Sequence, residues 1–183
     1  MDASTAMQQT QPLVTGLVAG LTPETRDMST PCDQWTVHEL VGHMCQGGQM
    51  VAGALQDQSP PDGETDLLAD GPAAGWAAAV AALQGAATAD ALAATHEMPF
   101  GQVPGEVALS VITADHLVHA WDLAQATDQD LDIDDDLAEW ALQTWQVVVP
   151  AEGRTGDGFA EVVATAEDAP VTDRLVAYTG RQP

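Results

Sequence analysis

Apolar residues recur every three or four positions along most of the chain, which is the spacing of one face of an α-helix. Near the N-terminus this pattern is carried by Leu13, Val14, Leu17 and Val18. Similar stretches follow, separated by polar, Gly-rich or Pro-rich segments. The predicted helices cover about residues 8–20, 36–55, 72–87, 106–127, 134–149 and 171–178. The chain is therefore predicted to be all-α, an antiparallel four-helix bundle with an extra C-terminal helix.

The second helix has the clearest start signal. Thr36 is followed three residues later by Glu39, the pattern of a capping box, in which each side chain bonds a backbone N–H of the other end. Trp35 precedes the cap and Leu40 follows it, at the positions of a hydrophobic staple. These signals fix where the helix begins.

Two segments interrupt the helical pattern. Residues 57–71 are rich in Pro, Gly and Asp and are predicted to form a surface loop. Residues 96–105 hold two Pro and two Gly among few apolar side chains, which is typical of a short hairpin or an irregular crossing. Neither a repeat nor a break in composition divides the chain, so residues 1–183 are predicted to form a single domain.

The longest predicted helix carries charged residues on its apolar side. At about 100° per residue, Asp115, His119 and Asp122 lie among apolar positions that should face the bundle core. A carboxylate in an apolar interior costs several kcal/mol unless it is paired or bound to a cation. Asp115 and His119 are four residues apart, so their side chains share one face, as do metal ligands on a helix.

The second helix offers a further ligand, His43, near the edge of its apolar stripe. With Asp115 and His119 it would form a set of two histidines and one carboxylate, which leaves coordination positions open as catalytic zinc sites do. Asp122 lies one turn beyond His119 and is placed to orient an imidazole. His116 points about 100° away from Asp115 and is predicted to line a pocket or lie on the surface.

Other interpretations of these residues stay open. A single histidine on a partly apolar face is more often hydrogen-bonded in a core than bound to a metal, and acid–histidine pairs four residues apart also arise by chance. An arginine could instead neutralise Asp115. The chain has only four, none of them on a predicted core helix: Arg26, Arg154, Arg174 and Arg181. This scarcity favours a cation as the partner of Asp115.

The overall charge excludes several kinds of partner. The 28 acidic residues outweigh the 4 basic ones, which gives a net charge of −24 without a single lysine. Such a field repels phosphate backbones and anionic lipids, so binding to nucleic acid or to a membrane surface is not expected. No apolar run approaches the roughly 20 residues of a spanning helix, and the polar N-terminus does not resemble a signal peptide. We therefore expect a cytoplasmic protein whose two cysteines, which form no CxxC, are reduced.

The kind of acidic residue adds an expectation about solvent. Asp outnumbers Glu by 19 to 9, and arginine is scarce as well as lysine. This composition favours a surface adapted to concentrated salt, as in the cytoplasm of a halophile, and predicts salt-dependent folding because salt screens self-repulsion. The alternative is an acidic protein from an ordinary organism.

Several segments together resemble a known family. They are Thr30–Val37 (TPCDQWTV), Leu40–His43 (LVGH), Asp115–Ala124 (DHLVHAWDLA) and the C-terminal residues Asp168–Pro170, Asp173–Leu175 and Gly180–Arg181. The combination is similar to the DinB-like metal-binding superfamily, specifically the branch of the mycothiol-dependent maleylpyruvate isomerase N-terminal domain. The resemblance spans nearly the whole chain.

The resemblance implies a four-helix bundle that holds one divalent metal through His43, Asp115 and His119, matched by position. Zn²⁺ is the implied metal and Ni²⁺ an alternative, since both accept these ligands. The isomerase has glutamate where this chain has the shorter Asp115. Members of the family with known activity bind a low-molecular-weight thiol at the metal, and Gly47 near His43 either leaves room for that thiol or allows close helix packing.

Two hypotheses of function follow. The first is a metal- and thiol-dependent transferase or isomerase, similar to maleylpyruvate isomerase but of unknown substrate, whose partners are a small-molecule thiol and an electrophilic substrate. The second is a non-catalytic bundle protein that binds a metal or a small ligand, with a homodimer left open.

Overall fold

The structure is a computed structural model that describes residues 1–32, 35–58, 66–98, 101–152, 154, 159–166 and 168–183. Helices dominate these residues. The elements are α1 (Ala3–Ala19), α2 (Val37–Ala54), α3 (Pro72–Ala86), α4 (Ala89–Ala93), β1 (Thr95–Met98), β2 (Gly101–Pro104), α5 (Gly105–Thr127), α6 (Asp135–Val148) and α7 (Val171–Tyr178). The expectation of an all-α chain is confirmed, with a small hairpin added.

Four long helices contact one another in a closed ring. Helix α5 packs against α1 and α2, and helix α3 packs against the same two. Apolar side chains from all four fill the space between them; among the largest fully buried ones are Val14, Leu40, Met44, Trp76, Leu83 and Leu123. Helix α6 then covers another side of α5, and α7 packs on α6. The ring is the contact pattern that a four-helix bundle requires, whereas the antiparallel bundle itself stays a prediction.

The helix boundaries follow from local capping. The predicted capping box at the start of α2 is present: Thr36 Oγ1 accepts from the Glu39 N–H, and the Glu39 carboxylate accepts from the Thr36 N–H. Helix α1 begins at Ala3 rather than near residue 8, because Asp2 accepts a hydrogen bond from the Thr5 N–H at 2.7 Å and caps the helix earlier. The short helix α4 was not predicted; Thr88 caps it in the same way.

The two interruptions of the helical pattern have different outcomes. Strands β1 and β2 pair antiparallel, with Thr95 opposite Pro104 and Met98 opposite Gly101, so the hairpin alternative is confirmed for the described residues of this segment. The predicted loop at residues 57–71 agrees with the structure where it is described, because residues 57–58 and 66–71 lie outside helices and strands; residues 59–65 lie outside the described residues. Among the described helices, none has the length and the apolar run needed to cross a membrane.

The chain returns to helix α5 after α7. The Arg181 N–H donates to the Val176 carbonyl at 2.9 Å and the Gly180 N–H to the Ala177 carbonyl at 3.0 Å, the two bonds of a Schellman motif. Gly180 adopts φ +90°, which a residue with a side chain rarely does, and a Cβ there would lie 2.6 Å from the Ala160 Cβ. This turn ends α7 and directs Arg181 toward α5.

Candidate metal site

Helices α2 and α5 bring His43, Asp115 and His119 together. The His43 Nε2 atom lies 3.7 Å from Asp115 Oδ2, and the His119 Nε2 atom lies 3.4 Å from Asp115 Oδ1. One ligand atom from each of the three residues lies within 4.8 Å of the others. The i, i+4 spacing on α5 accounts for the second contact, and the packing of α2 on α5 supplies the first.

The orientation of His119 is fixed from the other side of its ring. Nδ1 lies 2.9 Å from Asp122 Oδ2, and because a carboxylate only accepts, Nδ1–H is the donor. This bond turns Nε2 toward Asp115 and His43. A histidine that donates one ring N–H to a carboxylate presents the other nitrogen to a metal in the usual arrangement of metal-bound imidazoles.

Asp122 is itself held by an arginine. Its carboxylate is completely buried and accepts two hydrogen bonds from Arg181, from Nη2 at 2.7 Å and from Nε at 3.2 Å. The sequence offered an arginine only as an alternative partner for Asp115. In the structure an arginine does reach the cluster, but it pairs with Asp122, while Asp115 faces the two imidazoles.

The electrostatics of the cluster follow from this burial. Burial disfavours a charged His119, yet the carboxylates of Asp115 and Asp122 outweigh it and raise the His119 pKa to about 9. Burial likewise opposes ionisation of Asp115, but His119 and then His43 hold its pKa below the ordinary value. Burial lowers the pKa of His43, against the attraction of Asp115. The cluster thus concentrates negative charge at a place where a cation can replace the His119 proton.

A cavity of about 210 Å³ opens beside the cluster. Asp115 and His43 are only partly buried there, with 22% and 35% of their side chains exposed, so solutes reach them. The Trp35 ring stacks on His43 with centroids 4.1 Å apart and planes inclined by 21°. The rest of the cavity wall is formed by Cys32, Val118, Trp145, Phe159, Thr179 and Arg181.

A second group of metal-ligand atoms overlaps the first. Cys32, His119 and Asp122 also offer one atom each within 4.8 Å of one another. Both Asp122 oxygens, however, already accept N–H groups of Arg181, so a cation bound there would face a guanidinium. The carboxylate of Asp115 has imidazoles as its neighbours instead. The set of His43, Asp115 and His119 is therefore the better cation site.

Two residues assigned to the pocket lie elsewhere. His116 is buried; its Nε2 bonds the Met44 carbonyl at 3.0 Å and its ring meets Trp76 edge-on. Gly47 lies on the packed face of α2, where an added Cβ would be 2.8 Å from Ile112 Cδ1. Neither is among the described residues that line the cavity. The structure thus gives Gly47 the close-packing role that the sequence left open.

Other residues of the site were not singled out from the sequence. Trp35 and Cys32 were noted for the hydrophobic staple, for reduced thiols and for the family resemblance, but not as residues of the site. Arg181 was noted for the resemblance and as one of four arginines considered for Asp115. A signal existed for Arg181, because Thr179-Gly180-Arg181 directly follows the last helix and Gly is typical just past a helix end. Nothing in the spacing indicated that this arginine would reach residue 122.

The donor chemistry fits a divalent cation. Two imidazole nitrogens and a carboxylate oxygen suit Zn²⁺ and other borderline metals, and the buried pair of Asp122 and Arg181 holds one imidazole in the ligating orientation. The open side of the cluster faces the cavity, which leaves room for further ligands. Fold and site together define a helical protein with a candidate metal centre of two histidines and one carboxylate.

Comparison with known proteins identifies the family. The chain belongs to the family of the mycothiol maleylpyruvate isomerase N-terminal domain, whose model matches residues 11–124, and this domain is part of the DinB-like superfamily. The matched residues include His43, Asp115 and His119. The resemblance inferred from the sequence is thereby confirmed, and it indicates a mycothiol-related metal-binding domain.

Two relatives match over nearly the full length. They are proteins of two Mycobacterium tuberculosis strains, both described as uncharacterized, and each is 34% identical over 182 residues, which is 99% of this chain and 98% of the relative. No solved structure gives a significant match.

Proposed function

We propose that the protein binds one divalent metal ion, Zn²⁺ in preference to Ni²⁺, through His43, Asp115 and His119 on a four-helix bundle, and acts as a thiol-dependent transferase or isomerase. The observation that carries the proposal is the convergence of two imidazoles and a carboxylate from two helices at an open cavity. Family membership supports it independently. The net charge of −24 disfavours nucleic acid and membrane surfaces as partners, and a cytoplasmic setting is part of the proposal.

In this proposal each residue of the cavity has its own role. His43 and His119 supply nitrogen ligands and Asp115 supplies an oxygen, while Asp122 keeps the Nδ1 hydrogen of His119 on the far side of the ring. A bound divalent ion would supply Lewis acidity, lowering the pKa of a small-molecule thiol in an open position. Trp35, Trp145 and Phe159 line the cavity and would give a bound thiol and its electrophilic partner an apolar wall.

Loss of metal from histidine variants tests the site. Wild-type protein should hold about one equivalent of zinc, and His43→Ala or His119→Ala should lose it, because two remaining ligands bind a cation weakly. Metal content after gel filtration, measured by mass spectrometry, gives the result. His38→Ala, on the first turn of the same helix as His43, is the matched control and should retain the metal. Wild-type protein that takes up no zinc would contradict the proposal.

Thiol binding separates an enzyme from a binding protein. In protein loaded with Co²⁺ in place of zinc, a thiol that enters the coordination sphere produces a sulfur-to-cobalt charge-transfer band. We expect this band on titration with a low-molecular-weight thiol, and its absence from His119→Ala. A metal-loaded protein that shows no band with any small thiol would instead be a non-catalytic metal-binding bundle, whether monomer or homodimer.

A further inference from the structure

The C-terminal segment reaches the candidate metal site from outside the family match. Arg181 follows α7 and lies 57 residues beyond the last matched residue, since the family model ends at 124. It nevertheless contacts Asp122, the residue that orients His119. The site is therefore built from two distant parts of the chain.

The contacts of Arg181 are directed at Asp122. Its side chain is 9% exposed, and Nε and Nη2 bind the two carboxylate oxygens side by side, while Nη1 donates to the Thr179 carbonyl at 3.0 Å. A fork of two parallel bonds fixes both the position and the plane of a carboxylate, which a single bond does not. Because the Asp122 side chain is fully buried, removal of the guanidinium would leave its charge compensated by His119 alone among the partners described for it, which is costly in an interior.

The backbone around Arg181 is also held by specific contacts. The Schellman motif places it one residue beyond Gly180, and Arg154 binds the Tyr178 carbonyl while its guanidinium lies over the Tyr178 ring at 4.5 Å. The end of α7 is thus tied to the segment that follows α6. Arg181 is not a surface side chain that happens to meet Asp122.

We propose that Arg181 is a positioning residue for the metal site: it locks the Asp122 carboxylate, which keeps the hydrogen of His119 on Nδ1 and leaves Nε2 directed at the cation. The inference rests on the proposed metal site of His43, Asp115 and His119. It adds that metal affinity depends on a side chain outside the matched domain, one that does not touch the metal.

Charge alone makes the opposite prediction. A guanidinium near a cation site repels the cation, so its removal should tighten metal binding if Arg181 contributed only charge. If Arg181 positions Asp122, its removal should weaken binding, because the buried carboxylate shifts and no longer holds the imidazole. The sign of the change therefore decides between the two roles.

Zinc affinity of Arg181 variants tests the proposal. We expect Arg181→Met to weaken zinc binding by about 10- to 100-fold, the range seen when residues that support metal ligands are removed. Arg181→Lys keeps the charge but not the fork and should recover only part of the loss. Competition with a chromophoric chelator gives the dissociation constants. Arg26→Met, which removes the same charge from an exposed arginine, is the control.

Two further measurements distinguish positioning from general stability. The visible absorption of the Co²⁺-loaded protein should change in Arg181→Met and stay unchanged in Arg26→Met. Combining Arg181→Met with Asp122→Asn should weaken zinc binding no further than Asp122→Asn alone, because both changes act through one carboxylate.

The outcomes are separable from those of the proposed function. Wild-type protein without zinc affinity refutes the metal site itself. The role of Arg181 is overturned if Arg181→Met binds zinc as tightly as wild type or more tightly and its cobalt spectrum is unchanged. This holds even if the melting temperature of the variant falls. If Arg181→Met does not fold, Arg181→Lys decides: unchanged affinity and spectrum overturn the proposal.

Discussion

His116 is adjacent in sequence to a candidate ligand but serves the packing of the helices. Its ring is buried between α2 and α3, bonded to the Met44 carbonyl and set edge-on against Trp76 at 4.9 Å. Burial lowers its pKa to about 4, so the folded protein keeps this histidine neutral. Neighbouring positions on one helix therefore have opposite tasks: Asp115 faces the cavity, and His116 joins the core.

The His116 pKa predicts a pH dependence of stability. Between pH 6.5 and 4 the unfolded chain takes up a proton at His116 that the folded chain refuses, so the free energy of unfolding decreases as the pH falls. The difference in free energy of unfolding between wild type and His116→Gln should be largest above pH 6.5. It should decrease by on the order of 2 to 3 kcal/mol as the pH falls toward 4. Urea unfolding of both proteins across this range measures it. If the free energies of unfolding of the two proteins depended on pH in the same way, His116 would not have the lowered pKa.

Residues close in sequence were predictable, and distant ones were not. Helix geometry alone places Asp115 and His119 on one face, and the burial cost of a carboxylate demands a partner. The partner of Asp122, in contrast, lies 59 residues away, at the end of a turn whose direction depends on tertiary packing. Local periodicity does not predict which residues the Arg181 side chain contacts in the fold.

At the scale of elements, close approach between segments is set by glycines rather than by apolar periodicity. Gly75 on α3 lies against the chain at Leu67, where an added Cβ would be 2.4 Å from the carbonyl oxygen. On the same helix an added Cβ at Gly85 meets nothing within 4 Å. The two positions look alike in sequence, and only the fold distinguishes them.

These two glycines predict opposite effects of the same substitution. Gly75→Ala should destabilise the protein by about 1 to 3 kcal/mol, because a backbone carbonyl cannot move aside as a flexible side chain can. Gly85→Ala should stabilise it by up to about 1 kcal/mol, since Ala is the better helix former. Denaturant unfolding gives both values. Equal effects of the two substitutions would show that the packing of residues 66–71 on α3 is wrong.

The success of element prediction followed the strength of local signals. A capping box, a staple and a long apolar stripe fixed α2 to within one residue, whereas the start of α1 shifted because a single cap at Asp2 outweighed a polar stretch. Strands β1 and β2 and helix α4 are too short for periodicity to specify. Helix α4 has only the local cap at Thr88 to mark its start.

At the scale of the molecule, the charge of −24 is a property of the surface, with a few exceptions at the site. Asp122 is fully buried and Asp115 partly so, and both have cationic or imidazole partners. The composition predicted a hydrated acidic surface and correctly left these two carboxylates unexplained. It could not supply the ring of helix contacts, which arises from residues far apart in the chain.

The surface charge predicts a strong dependence of folding on salt. The melting temperature should rise steeply from low to molar potassium chloride, because the Debye length shrinks to about 3 Å at 1 M and repulsion between the acids is screened. Calorimetry at several salt concentrations measures the change, with sucrose at matched osmolality as the uncharged control. A melting temperature that does not move with salt would refute adaptation to concentrated salt.

The stacking of Trp35 on His43 also places an intrinsic fluorophore at the cavity. The indole and imidazole centroids are 4.1 Å apart, and Trp35 is one of five tryptophans in the chain. If His43 binds a metal ion as proposed, that ion would alter the electronic surroundings of the stacked indole, and a paramagnetic ion such as Ni²⁺ or Co²⁺ would quench its emission. The protein therefore carries its own fluorophore at the site, so intrinsic fluorescence can follow filling of the cavity in real time without an added dye.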